Sequence, residues 1–132
     1  MAVLFSATFG GRLQRFGASS GGSTSKIQLI AASQIPAVTS GNGNFAQVDK
    51  MKVTVAKGGS SSLFQLELST DNVTYAEVAR IEVPDSGIMS DPDVTLYIPA
   101  GYWYRVSVTQ GTAARCSAAL IGRTVISDIV DI

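Results

Sequence analysis

Apolar and polar residues alternate with a period of two in short runs along the chain, and the runs are separated by Gly, Ser, Asn, Asp and Pro. A period of two sends successive side chains to opposite faces of a strand. Helical patterning is nearly absent. Val3, Phe5, Ala7 and Phe9 share one parity, and Gly10-Gly11 is expected to end that run. Residues 17–25 (GASSGGSTS) read as a flexible link. Between them, Arg12, Leu13, Arg15 and Phe16 leave room for only a single helical turn, too short to stand alone. From Lys26 onward, Ile27, Leu29 and Ala31 alternate with Lys26, Gln28 and Ile30, which puts Ile30 on the outward side. A loop over 33–44 ends in the turn-forming Ser40-Gly41-Asn42-Gly43-Asn44. The next strand runs from Phe45 to Lys57; the parity change between Val48 and Met51 predicts a bulge near Asp49-Lys50.

Leu63 to Ser69 follows, with Phe64, Leu66 and Leu68 inward and Gln65 and Glu67 outward. Asp71-Asn72 makes the turn, since both residue types tolerate positive φ. The return from Thr74 to Val83 slips parity around Val78, as a bulge or an edge strand would, and Pro84 closes it. Residues 85–93 read as a loop. Val94, Leu96 and Ile98 form the next inward face, and Pro99-Ala100-Gly101 turns the chain. Tyr102, Tyr104, Val106 and Val108 then face inward, opposite Trp103, Arg105, Ser107 and Thr109. The run from Ala114 to Ile126 is apolar on both parities, as in a central strand or one covered by a partner.

This spacing predicts an all-β fold, an antiparallel β-sandwich of jelly-roll or Ig-like type with about seven to eight strands. The expected organisation is an N-terminal arm and Gly/Ser linker over 1–24, a β-sandwich body over 25–124 and a C-terminal tail strand over 125–132. The Cys–Trp–Cys spacing of an immunoglobulin domain is missing, because the chain has one Cys.

Composition narrows the function. Ten Lys and Arg balance ten Asp and Glu among 132 residues, so no net charge draws a polyanion, and nucleic acid is not expected as a partner. There is no His, which removes the commonest general base and metal ligand. Charged residues make up only 15% of the chain, a composition that favours a subunit of an assembly. No run approaches the ~18 apolar residues of a membrane span. Met1 to Ser6 carries no basic region ahead of its apolar residues, so no signal peptide is expected, and synthesis in a cytoplasm is the expectation.

Candidate chemistry is sparse. Asp85, Asp91 and Asp93 are better suited to capping loops than to holding calcium, since no closing Glu follows them. Glu67 and Glu77 would meet across the Asp71-Asn72 turn, the arrangement of a two-carboxylate glycosidase, though glutamates on the outer face of a hairpin are ordinarily just solvated. Ser23 and Lys26 have Ser-x-x-Lys spacing but lack the helix that fixes such a pair. Cys116 lies in an apolar run, where a thiol acts as a small hydrophobe. The glycine pairs do not form a phosphate loop. No catalytic residue, metal ligand or cofactor is expected. Tyr97, Tyr102, Trp103 and Tyr104 are expected to lie close together, with Tyr102 and Tyr104 in the core. Tyr97 and Trp103 then face outward, as anchors for a protein partner or a stacking platform for a sugar.

The stretch Phe64-Gln-Leu-Glu-Leu-Ser-Thr-Asp71-Asn72-Val-Thr-Tyr75, followed by Val94-Thr-Leu-Tyr-Ile-Pro-Ala-Gly101-Tyr-Trp-Tyr-Arg105-Val, resembles small β-sandwich modules of tailed-bacteriophage virions. Asn72 stands where that pattern usually has Gly, and Tyr75 where Trp is common. The resemblance implies a non-enzymatic structural component of a virion: a capsid decoration (cement) protein or a fibre or tail module, usually a homotrimer. It transfers no catalytic residue. A glycan-binding or receptor-binding module is the alternative. The expected interface residues are Val3, Phe5 and Phe9 of the arm, Tyr97 and Trp103 of the body, and Ile129 and Val130 of the tail. The expected partners are sister subunits and a major capsid or other virion protein.

Overall fold

Nine antiparallel strands build two sheets in the computed structural model, which describes residues 3–35, 42–91 and 95–131. They are β1 (Val3–Ser19), β2 (Ile27–Gln34), β3 (Asn42–Val55), β4 (Ser62–Ser69), β5 (Ala76–Val83), β6 (Gly87–Asp91), β7 (Leu96–Pro99), β8 (Trp103–Thr109) and β9 (Cys116–Asp131). One sheet has the order β1-β9-β3-β6, with β7 pairing β3 beside β6; the other has the order β2-β8-β4-β5. First pairs with last, second with eighth, third with sixth and seventh, and fourth with fifth. This nested pairing is a jelly roll rather than an Ig-like sandwich. The strand count exceeds the expected one because β6 was hidden in the apparent loop over 85–93, whose sequence Gly87-Ile-Met-Ser-Asp91 is too short to show a period. Val94 lies outside the described residues.

The core lies between the sheets. Val48, Met51, Val53, Leu120 and Ala118 of the first sheet meet Phe64, Leu66, Val106 and Val108 of the second, all fully buried. Cys116 joins them, and burial pushes its thiol pKa up. The predicted bulge in β3 falls between Val48 and Lys50. That in β5 falls opposite Leu66/Glu67, at Val78, and β5 is also an edge strand. Asn72 adopts φ 61°, and Asp71 closes its turn by accepting N–H bonds from Val73 (2.8 Å) and Thr74 (2.9 Å).

Three expectations are corrected. Ile30 is buried, not outward: β2 shifts register between Gln28 and Ile30 and again before Ser33, so Leu29 and Ile30 both reach the core. Gly10-Gly11 does not end the first strand; the break is a register shift between Phe9 and Gly11, and pairing with β9 resumes at Gly11↔Thr124 and runs to Ser19↔Cys116. The link is consequently shorter than residues 17–25: Leu13 is core, and Gly17 sits against the backbone of Leu29. What remains of the connection is pinned by the buried Gln110. Its Oε1 accepts from the Ser23 and Ala114 amides, and its Nε2 donates to Ser62.

Candidate interaction surfaces

The two sheets differ in length. β1, β9 and β3 have 17, 16 and 14 residues, whereas β2, β8, β4 and β5 have 8, 7, 8 and 8. The long sheet is in step with its partner where Gly17 meets Leu29 and Arg15 Nη2 donates to the Ala31 carbonyl (3.0 Å). β2 and β8 continue to the Gln34↔Trp103 pair, and β7 flanks β3 as far as Phe45↔Pro99; past that row β1, β9 and β3 run on as three strands. Val3 pairs with Asp131, Phe5 with Ile129, Leu4 with Val130 and Phe9 with Val125; Val125 in turn pairs with Phe45, and Phe45 with Pro99. Phe9, Val125, Phe45 and Pro99 thus share one register row across four strands. The expected interface residues of arm and tail are brought together, paired with one another within the chain.

Among the residues whose burial is described, the outer face of the long sheet carries four of the seven exposed large apolar side chains. Phe16 of β1 is 71% exposed, Ile88 of β6 67%, Tyr97 of β7 57% and Ile121 of β9 39%. Tyr97 packs edge-on against Phe45, ring centroids 5.6 Å apart. Phe16 and Ile88 wall a shallow groove floored by Thr54 and Ser117, whose hydroxyls hydrogen-bond to each other. Sequence reasoning missed Ile88, because β6 read as loop. It noted Phe16 without a face, because strand parity could not be carried across the bulge at Phe9/Gly11.

The short sheet presents a polar outer face. Glu67 of β4 is buried there among Lys26, Arg105 and Ser107. Its Oε2 accepts from Lys26 Nζ at 2.8 Å, and its Oε1 from Arg105 Nε at 3.2 Å and from the Ser107 hydroxyl. Burial pushes the Glu67 pKa up, but the hydrogen bonds from Lys26 and Ser107 and the two nearby cations outweigh it and hold the carboxyl below its ordinary value. Arg105 also stacks on Tyr75, its Cζ 3.8 Å from the ring centroid. Glu77 does pair with Glu67 across the ladder, but its carboxylate is taken by Arg80 (2.9 Å) and Gln65 (2.9 Å), which lower its pKa. A glycosidase needs one carboxyl raised so that it holds a proton; here both are held low.

The aromatic group divides. Tyr97 belongs to the long sheet and the half-buried Trp103 to the short one, so the two lie on opposite outer faces of the sandwich rather than on one platform. Tyr104 is core, and Tyr102 packs against the core from its rim. Lys26, the partner of Ser23 in the Ser-x-x-Lys spacing, is turned to Glu67. The side chains of Asp91, Asp128 and Asp131, and all of Asp93, lie outside the described residues.

No protein-family model and no curated protein matches this sequence. Several solved structures align with it at low similarity. A Yersinia pseudotuberculosis-derived mitogen is 11% identical, with 85% of this chain and 84% of that one covered and a TM-score of 0.39. A pentameric capsid protein isolated from metagenomic phage sequences is 13% identical, covering 84% and 59%, with a TM-score of 0.37. The subunit of the T13 IBDV viral particle is 12% identical, covering 96% and 35%, with a TM-score of 0.42.

Proposed function

We propose that the chain is a non-enzymatic structural protein of a virion, a capsid decoration (cement) protein of tailed-bacteriophage type that associates with sister subunits and with a capsid lattice. The observation that carries this reading is the three-stranded extension of β1, β9 and β3 past the end of the short sheet. Its outermost strand, β1, has β9 on one side and, among the described residues, no strand on the other. An unblocked apolar edge of this length is a template for adding a strand of another chain. Val3, Phe5 and Phe9, with Ile129 and Val130, supply the apolar residues. At about 1.5–3 kcal/mol for each large side chain buried, a few of them supply several kcal/mol toward assembly before ordering costs.

In this reading residues 1–9 and 125–132 serve assembly, while the rest of the arm, from Leu13 to Ser19, serves the sandwich. A trimer is the expected assembly. The test is the solution mass by light scattering at micromolar concentration. The intact chain should give a multiple of 13.8 kDa, threefold for the trimer. A chain lacking residues 1–9 should keep its β-type circular dichroism and shift to lower mass. A folded monomer for the intact chain refutes the reading.

A glycan-binding or receptor-binding module is the second reading, and it rests on the short sheet, where Trp103 flanks the Arg105–Tyr75 stack on the outer face. Binding on a glycan array that is lost in Trp103→Ala would favour it over the lattice.

A further inference from the structure

Glu67 is buried on the outer face of the short sheet, where a carboxylate is ordinarily solvated. Its burial fixes the cations around it. Arg105 Nε donates to Glu67 Oε1 at 3.2 Å, and the guanidinium lies over the Tyr75 ring with Cζ 3.8 Å from the centroid. Tyr75 is itself anchored, because its hydroxyl donates to Asn72 Oδ1 in the Asp71-Asn72 turn. These contacts occupy one edge and one face of the guanidinium. Among the described residues no acceptor meets Nη1 or Nη2, although the Arg105 side chain is only 21% exposed. Mostly buried charged donors normally carry partners, so this pair is set out for an acceptor on another molecule.

Other donors converge on the same place. Lys26, whose Nζ lies 2.8 Å from Glu67 Oε2, lines an open notch of about 150 Å³ together with Ile27, Gln28, Arg105 and Ser107. Gln28 Oε1 accepts from the Ala32 amide at 3.4 Å, which leaves its NH2 group to donate. Lys26 and Arg105 against the Glu67 carboxylate leave one net positive charge, and the neighbouring Glu77 is paired with Arg80. One positive charge matches a carboxylate, whereas a phosphate monoester of nearly two negative charges would stay half compensated. The Nη1–Nη2 edge is the planar fork that a carboxylate meets through both oxygens. Trp103 lies two residues before Arg105 on the same face of β8, about 7 Å along the strand. Among the residues whose burial is described, no exposed large apolar side chain stands on β2, β4 or β8. A protein partner needs such anchors. A sugar needs polar groups for its hydroxyls and a ring for its apolar face.

We infer that this notch binds the carboxylate of an acidic sugar, with Arg105 as the bidentate contact, Lys26 as the second cation and Trp103 as the platform for the adjoining ring. The inference rests on the glycan-binding reading and names its sugar class. The test titrates the full-length chain, by isothermal calorimetry, with trigalacturonate and with its methyl ester, which keeps the shape and loses the charge. The acid should bind at least about tenfold tighter than the ester, the worth of one charged hydrogen-bonded contact. The difference should shrink as salt rises. Arg105→Lys keeps a cation for Glu67 but loses the fork, and should weaken the acid about tenfold while barely changing the ester. Should that variant fail to fold, Lys26→Gln, at a more exposed position, must also weaken the acid more than the ester. Triglutamate, which carries carboxylates but no sugar ring, should bind more weakly than trigalacturonate. No binding of trigalacturonate, equal binding of acid and ester, indifference to the substitutions, or equal binding of triglutamate overturns the inference. If neutral glycans on an array still bind through Trp103 in that case, only the carboxylate site fails; if no glycan binds, the glycan reading fails with it. None of these variants touches residues 3–9, so failure here leaves the assembly reading untouched.

Discussion

Gly17 of β1 lies so close to Leu29 of β2 that a Cβ on the glycine would stand 1.8 Å from the leucine carbonyl oxygen. The edge strands of the two sheets touch backbone to backbone there. This contact closes the sandwich on the side where the chain crosses from one sheet to the other. Gly17→Ala forces the strands apart, because no flexible side chain is available to yield. The expected loss is at least about 1–3 kcal/mol, the usual range for overpacking. Chemical denaturation should show a lower midpoint for Gly17→Ala, whereas Gly21→Ala, with nothing within 4 Å, should leave it nearly unchanged.

That contact also shows where the sequence was legible. Strands with clean alternation, such as Leu63–Ser69 and Trp103–Thr109, and bulges that break parity within one run, such as Asp49-Lys50, were readable because a period of two is a local signal. Gly17 looked like linker because glycine is required both where a chain must bend freely and where two backbones must meet, and only the partner strand distinguishes the two. Ile30 misled for a related reason: a double register shift in β2 buries consecutive residues. The outer face of the long sheet combines β1, β6, β7 and β9, which are remote in sequence, so its exposed Phe16, Ile88, Tyr97 and Ile121 could not be read as one surface.

Gln110 is a polar keystone. Buried beneath the chain crossing, it receives two backbone amides and donates to Ser62, and its own N–H donates to the Ser23 carbonyl at 3.0 Å. Gln110→Leu leaves the buried Ser62 hydroxyl and the half-buried Ser23 and Ala114 amides without these partners, costing about 1–3 kcal/mol for a buried group left unsatisfied. Thermal unfolding followed by circular dichroism should show a clear drop in Tm.

Glu67 makes stability pH-dependent. Its pKa is lowered in the folded state, so its contribution is present in full above the ordinary glutamate value of about 4.3 and is lost as pH falls through the lower folded value. Stability of the native chain should therefore decline on acidification below about pH 4.3. In Glu67→Gln the neutral amide cannot titrate, and the decline should be shallower. Parallel denaturation curves at pH 6 and pH 3 for the two chains provide the comparison; equal slopes would show that Glu67 is not responsible.

In the proposed assembly another chain covers the extension of β1, β9 and β3. Hydrogen exchange on dilution tests it most directly. In β1 the amides that point toward β9 are bonded within the chain, and those that point away are bonded only if a second chain pairs with the edge. The outward amides between Val3 and Phe9 should be protected at high protein concentration and lose protection on dilution, while those of β4 and β8 stay protected throughout. Rapid exchange of the outward amides at every concentration, in a chain whose mass remains that of a monomer, would contradict it.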